Sequence, residues 1–311
     1  MANARGIPAQ SVVENDYWRM AVVPDWGGQM TSLVYRPANE ELLRVPPSHE
    51  AWLAQPYLYG IPILFPPGRI RGGEFRWRNE TYHWPKTDTA GPNHLHGFVA
   101  NQPWDVVDWT PHSMALETDA AADETMARYF GARVHLTVRY VLEGPWAGIR
   151  VAVRNDGQKA IPFGVGFHTT WTMTEHDWTL ILPSGDEWEM GEDLMPTGRF
   201  LAEPLVLKGL GQGRSARDVV ADTCYRVRDG VSPEVIMRHP VLPLQFRWRA
   251  DEPFRHLVVY RPAESPFICV EPYTWTHNAV NLGLPDAVTG VAGLNPGETR
   301  VYAYGVSPEG G

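Results

Sequence analysis

The sequence predicts an all-β fold, built as one large antiparallel β-sandwich or similar stacked-sheet arrangement. Three observations lead there. Apolar residues alternate with polar ones at period two along most of the chain, as half-buried strands require. The 311 residues include 28 Pro and 29 Gly, which divide the chain into short segments. Helical periodicity is nearly absent, with 119–130 the best helix candidate.

The strand candidates follow in order: 18–23, 30–35 and 74–78 precede the helix, and a β-hairpin comes after it. In 134–142 Val134, Leu136, Val138, Tyr140 and Leu142 alternate with His135, Thr137 and Arg139, and in 149–154 Ile149, Val151 and Val153 alternate with Arg150 and Arg154. Residues 143–148 are expected to form the turn. Asn155-Asp156-Gly157 and Asp229-Gly230 are further hairpin-type turn signals. The later candidates are 162–171, 225–228, 234–238, 245–249, 256–260, 267–271 and 299–305. No fixed repeat, low-complexity stretch or Pro/Ser linker divides the chain, so residues 1–311 are expected to form a single domain.

Bulk properties exclude several functions. Net charge is −9 and no Lys/Arg run stands out, which argues against nucleic-acid and anionic-membrane partners. No stretch approaches the ~18 apolar residues of a membrane span. The N-terminus, Met-Ala-Asn-Ala-Arg-Gly-Ile-Pro, has no apolar run of the kind a secretory signal needs. Cys224 and Cys269 have no near partner in sequence, so no disulfide framework is expected and a cytoplasmic location is the default. Neither composition nor pattern selects between monomer and dimer. Of the 13 Trp, most are expected in the core and a few to line a site, where a flat ring can serve as a stacking platform.

Four segments could carry chemistry. In 162–171, Phe163, Val165, Phe167 and Trp171 share one face, while Gly164, Gly166, His168 and Thr170 share the other. Two glycines beside a histidine suggest open space over that face; a satisfied His near a tight backbone contact is an equal alternative. In Phe267-Ile268-Cys269-Val270-Glu271-Pro272 a carboxylate ends an apolar run. Partial burial would raise its pKa and suit it to act as a base near neutral pH, whereas a solvated strand end would make it inert. In Asn93-His94-Leu95-His96-Gly97-Phe98 the His-x-His pattern suggests a metal, as in a cupin-type enzyme. No third ligand follows at short spacing, so a structural or substrate-binding role is the better reading and no metal or other cofactor is expected. Arg69 lies in the Gly/Pro-rich loop 66–73, able to present its fork to hydroxyls or simply to be solvated. The common nucleotide, serine-hydrolase and zincin motifs are absent.

Together these segments resemble the aldose 1-epimerase (galactose mutarotase) family, from about Tyr17 to Val306. The matching wording is Ala21-Val22-Val23-Pro24-Asp25-Trp26-Gly27-Gly28, Gly60-Ile61-Pro62-Ile63-Leu64-Phe65-Pro66 with Gly68-Arg69-Ile70, Asn93 to Phe98, Val270-Glu271-Pro272-Tyr273-Thr274 with Asn278-Ala279-Val280-Asn281, and Leu294-Asn295-Pro296-Gly297-Glu298-Thr299. The resemblance implies a supersandwich with a sugar cleft across one sheet, Glu271 as base and His168 as acid. It further implies that His96 and Arg69 bind sugar hydroxyls, with an aspartate that Asp222 matches best and Asp218 nearby.

The sequence departs from the family twice. Phe98 gives His-Gly-Phe, which looks like the hexose-6-phosphate epimerase branch, but no basic residue follows; Arg71 and Arg76 could serve instead. Thr169-Thr170 stands where many members carry Pro-Tyr, which bears on the pocket's shape. The implied activity is interconversion of the α and β anomers of a hexose. A carboxylate and an imidazolium on opposite sides of the ring would move two protons without a metal, nucleotide or covalent intermediate. The rivals are a hexose-6-phosphate 1-epimerase and a catalytically silent sugar-binding protein on the same scaffold.

Overall fold

A computed structural model describes residues 10–310. The reading of the first eight residues as free of a secretory signal falls outside that range. Strands account for 47% and helices for 12%, arranged as antiparallel sheets.

The hairpin organises the larger sheet. Val134–Glu143 pairs in full register with Trp146–Asn155, so Glu143 faces Trp146. The turn is therefore the two residues Gly144-Pro145, shorter than the sequence suggests, with Gly144 at φ 58. Nine strands lie in this sheet, in the order Trp104–Thr110, Ser113–Thr118, the hairpin, Thr299–Gly310, Leu244–Ala250, Glu234–Arg238, Thr179–Ile181 and Arg214–Ser215. The helix Ala120–Phe130 forms where expected. Asp119 caps it by accepting from the Ala122 N–H at 2.8 Å, and Gly131 closes it at φ 63. Its buried face is Ala122, Met126 and Phe130, one residue per turn.

The two remaining turn signals are not hairpins. After Asn155 the chain leaves the sheet for Ile161–Phe163, which pairs with Ala292–Leu294. Asp229-Gly230 joins Ala221–Val227 of the second sheet to Glu234–Arg238 of the first. The first leads into a separate two-stranded sheet and the second crosses between the two large sheets.

The second sheet runs Pro196–Phe200, Gly185–Met190, Ala221–Val227, His256–Arg261, Phe267–Tyr273, Gly166–Phe167 and Ile63–Leu64, with Thr170–Thr172 also on Phe267–Tyr273. Its inner face packs on the nine-stranded sheet. Phe167 stacks on Tyr304 with centroids 5.0 Å apart, Trp171 meets Trp248 at 5.5 Å, and Thr169 donates to the Tyr304 hydroxyl at 2.9 Å. Seven tryptophans are essentially inaccessible; aromatic burial on this scale contributes heavily to a sandwich core. Among the described residues no helix is long and apolar enough to cross a membrane.

Candidate active site

The outer face of the second sheet is the floor of a cleft of about 880 Å³. Strand register places its side chains. Asp222 lies opposite Tyr260, which lies opposite Cys269. One step along, Cys224 faces Val258 and Val258 faces Glu271; one step further, His256 faces Tyr273 and Tyr273 faces Gly166. Residues directly opposite share a face, so these form one surface. Glu271 does not end its strand. Phe267–Tyr273 continues past it, and every residue in it is buried. Ile268 and Val270 enter the core while Glu271 points to the cleft floor.

The expected strand 162–171 is broken into Ile161–Phe163, Gly166–Phe167 and Thr170–Thr172. The space beside its glycines is filled. A Cβ at Gly164 would lie 2.6 Å from the Trp275 ring, and one at Gly166 would lie 2.5 Å from the Tyr273 ring. The glycines admit aromatic rings, leaving His168 to face the cleft.

His168 and Glu271 meet there. Nε2 of His168 is 3.2 Å from Oε1 of Glu271, with both side chains almost wholly buried. The Tyr273 hydroxyl donates to Oε2. Among the described residues Nδ1 of His168 has no hydrogen-bond partner. Burial drives the Glu271 carboxyl up to about 8, partly opposed by the Tyr273 hydrogen bond, and drives the His168 imidazole down to about 3. At neutral pH the contacting pair therefore holds one proton between Oε1 and Nε2. The two groups stand side by side, in place of the flanking arrangement expected from the chemistry.

The walls come from two loops locked together. Arg69–Ile70 pairs antiparallel with His94–Leu95. His96 then takes a left-handed conformation, φ 60, followed by Gly97 at φ 74, where a Cβ would strike the Phe65 carbonyl. This reversal separates His94 from His96. Nδ1 of His94 bonds the Pro85 carbonyl at 2.8 Å and its ring packs between Trp84 and Phe98. Nδ1 of His96 accepts from the Gly68 N–H at 3.3 Å, and its ring meets that of His168 at 5.2 Å. The two histidines do not converge on a shared metal position, which removes the motive for a cupin-type reading. Burial holds the His96 imidazole well below its usual range.

Arg69 is not merely solvated. Its Nε lies 3.0 Å from Asp88, and its own N–H is accepted by Nδ1 of His277 at 3.1 Å. Asn278 accepts from the Arg71 N–H at 3.1 Å and donates its own N–H to the Arg69 carbonyl at 2.7 Å. Asp222 lines the cleft and Asp218 does not; burial raises the Asp222 carboxyl, with Arg69 opposing.

The departures from the family pattern also resolve. Phe98 lines the cleft and stacks on Tyr129 with centroids 5.0 Å apart. Thr169 and Thr170 are buried away from the cleft. Arg71 pairs with Asp193 at 2.7 Å, and Arg76 borders a separate depression. No tryptophan lines the cleft; its aromatic walls are Tyr57, Phe98, Tyr129 and Tyr260. Sequence reasoning missed Tyr57, whose ring sits 4.7 Å from that of His96, and Asp88. It quoted Tyr273 without a role, and did not single out His277 three residues beyond the quoted Thr274.

A second histidine cluster lies elsewhere. Glu40, His176 and His239 come within 4.8 Å of one another. Nδ1 of His239 accepts the Val241 and Leu242 N–H groups at 3.1 and 2.9 Å. A neutral ring so held carries its hydrogen on Nε2, which leaves no lone pair there for a metal.

Several known proteins share this architecture. A galactose mutarotase-like protein from Clostridium acetobutylicum superposes with a TM-score of 0.89 at 21% identity, covering 96% of this chain and 95% of that one. Galactose 1-epimerase from Lactobacillus acidophilus NCFM gives 0.70 at 17%, covering 97% and 94%. At these identities the likeness concerns the fold. The uncharacterized protein YihR of Escherichia coli (strain K12) is 23% identical over 226 residues, 71% of this chain and 72% of its own length. The sequence model of the aldose 1-epimerase family matches residues 11–307, nearly the whole chain, and the chain therefore belongs to that family.

Proposed function

We propose that this protein is a mutarotase acting on a neutral hexose, with Glu271 and His168 as the proton-transfer pair. The contact between Glu271 Oε1 and His168 Nε2, buried at the floor of the cleft, carries the reading. Arg69, His96 and Asp222, which line the same cleft, would bind hydroxyls.

The chemistry needs one proton moved each way. Glu271 takes the proton of the C1 hydroxyl while His168 gives one to the ring oxygen. The C1–O bond within the ring breaks and the C1 carbonyl forms. Rotation about C1–C2 presents the other face, and the reverse transfers close the ring. Burial favours the proton on Glu271 in the free protein, so the reactive state is the one in which it has passed to His168. The open form carries it on Glu271 again, and closure returns it to His168. A pair that keeps one proton throughout suits this cycle. The hydroxyl and ring oxygens are both bonded to C1, so two groups in contact can address both.

Charge favours a neutral sugar. Among the described residues that line the cleft, Arg69 is the only arginine or lysine, and Asp88 already engages it. Phosphate recognition ordinarily recruits free Arg or Lys. A purely sugar-binding role would leave a buried acid–base pair without use, at a desolvation cost. The test is anomer exchange, by polarimetry or NMR, across free and phosphorylated hexoses. Acceleration of a neutral hexose supports the reading; binding without acceleration in the whole panel overturns it.

A further inference from the structure

We infer that Tyr273 is a positioning residue for proton transfer, fixing the Glu271 carboxylate through Oε2 so that Oε1 alone exchanges protons. The inference rests on the reading of Glu271 as the base.

Tyr273 and Glu271 are two residues apart on one strand and so share a face. The phenol donates to Oε2, and Oε1 faces Nε2 of His168 at 3.2 Å. A carboxylate held at both ends cannot turn about its last torsion, which is otherwise broad and nearly two-fold. Tyr273 is fully buried and does not line the cleft, so it acts through Glu271 and not on the sugar. The backbone is arranged to admit it. Gly166 lies directly opposite, and any side chain there would overlap the Tyr273 ring.

The hydrogen bond also sets the proton affinity of the pair. A phenol that donates to a carboxylate stabilises its ionised form. The other groups acting on Glu271 are His168, Asp222, Arg69, Cys269, Cys224 and Tyr260, and none of them changes when Tyr273 is replaced. Loss of the phenol then makes the pair give up its proton at higher pH. It also makes the ionised carboxylate that starts the reaction rarer.

The experiment is the pH profile of anomer exchange in Tyr273→Phe, beside Glu271→Gln. Tyr273→Phe should lower kcat about tenfold or more, leave KM within about threefold, and move the alkaline limb of kcat/KM up by about one unit, the scale of a hydrogen bond to a charged group. Site-specific 3-fluorotyrosine at 273, a stronger donor, should move that limb down. Opposite shifts from the two replacements are not expected of a ring that only packs. An unmoved limb in both, with kcat within twofold of wild type, overturns the inference. If Tyr273→Phe does not fold, the fluorotyrosine shift alone decides. Inactive Glu271→Gln with wild-type behaviour in both Tyr273 replacements removes the role of Tyr273 only. Active Glu271→Gln removes the acid–base reading itself.

Discussion

Replacing Glu271 by Gln should destroy activity and at the same time stabilise the protein increasingly as pH rises. The amide keeps the shape of the carboxyl. Its oxygen can accept from the Tyr273 hydroxyl as Oε2 does, and its NH₂ can donate to Nε2 of His168. What is lost is the proton acceptor, which should cost at least about a hundredfold in kcat, or roughly 2.7 kcal/mol of barrier. Stability moves the other way. The folded carboxyl stays protonated up to about pH 8, against 4.5 in an ordinary setting. Between those values the unfolded chain releases a proton that the folded chain retains, so this group's contribution to stability falls as pH rises. Gln has no such linkage. Its stability advantage should therefore grow by about 1.4 kcal/mol per pH unit, or roughly 2–3 kcal/mol from pH 5.5 to 7.5. Polarimetry on the pure α anomer, corrected for spontaneous exchange, reads the first effect, and urea unfolding at the two pH values reads the second. Exchange within about threefold of wild type would sink the mechanism. A stability gap that does not widen between pH 5.5 and 7.5 would show that the buried carboxyl is not held protonated.

Three further outcomes are expected. His168→Asn should lose at least about a hundredfold in kcat, and the double variant with Glu271→Gln should be little slower than the worse single one, because the two groups work as one unit; additive losses in steady-state kinetics would contradict this. Neutral hexoses should be used in preference to their 6-phosphates, and a hundredfold preference for the phosphorylated sugar in kcat/KM would move the protein to the other branch. On acidification, five buried imidazoles resist protonation: burial depresses His94 to about 4, His168, His256 and His277 to about 3, and His96 well below its usual range. A base depressed in the folded state contributes stability that is present above about pH 6.5 and lost below it, at ~1.4 kcal/mol per pH unit for each group. Circular dichroism should show cooperative acid unfolding as pH falls from 6.5 toward 4, and a protein still folded at pH 4 would refute the depressed values.

The all-β class was legible because its signals are local. Alternation at Val134 to Leu142 and at Ile149 to Val153 needs only neighbouring residues, and both strands form with the expected faces. The turns were less legible because a turn signal says where the chain bends and not where it goes. Asn155-Asp156-Gly157 and Asp229-Gly230 lead to other sheets, a choice made by the pairing of distant strands. Within the candidate site, His168, Glu271, His96 and Arg69 stood out by local pattern, their expected roles and Asp222 came from the wording of family motifs, and all five line one cleft. Tyr57 and Asp88 were not found. Each reaches the cleft from a loop without periodicity, held by contacts to residues far away in sequence. The open face predicted beside His168 failed for a related reason. Glycine reports that something comes close, and a sequence does not say whether that is a ligand or the ring of Tyr273 or Trp275.

The nested fit of Gly166 and Tyr273 also limits how this site can diverge. No residue larger than glycine fits at 166 while tyrosine remains at 273. Conversely, a smaller residue at 273 opens a void against the strand and frees one oxygen of the carboxylate. A Cβ at 166 would also lie 2.7 Å from Cβ of Pro67, so the two positions are expected to change together only with an adjustment at 67, in an order that passes through a cavity before it reaches a new fit. In descendants of this chain, the pairing of small with aromatic at these positions should be inherited as a unit, and a larger residue at 166 should signal in advance that the phenol behind the carboxylate has gone.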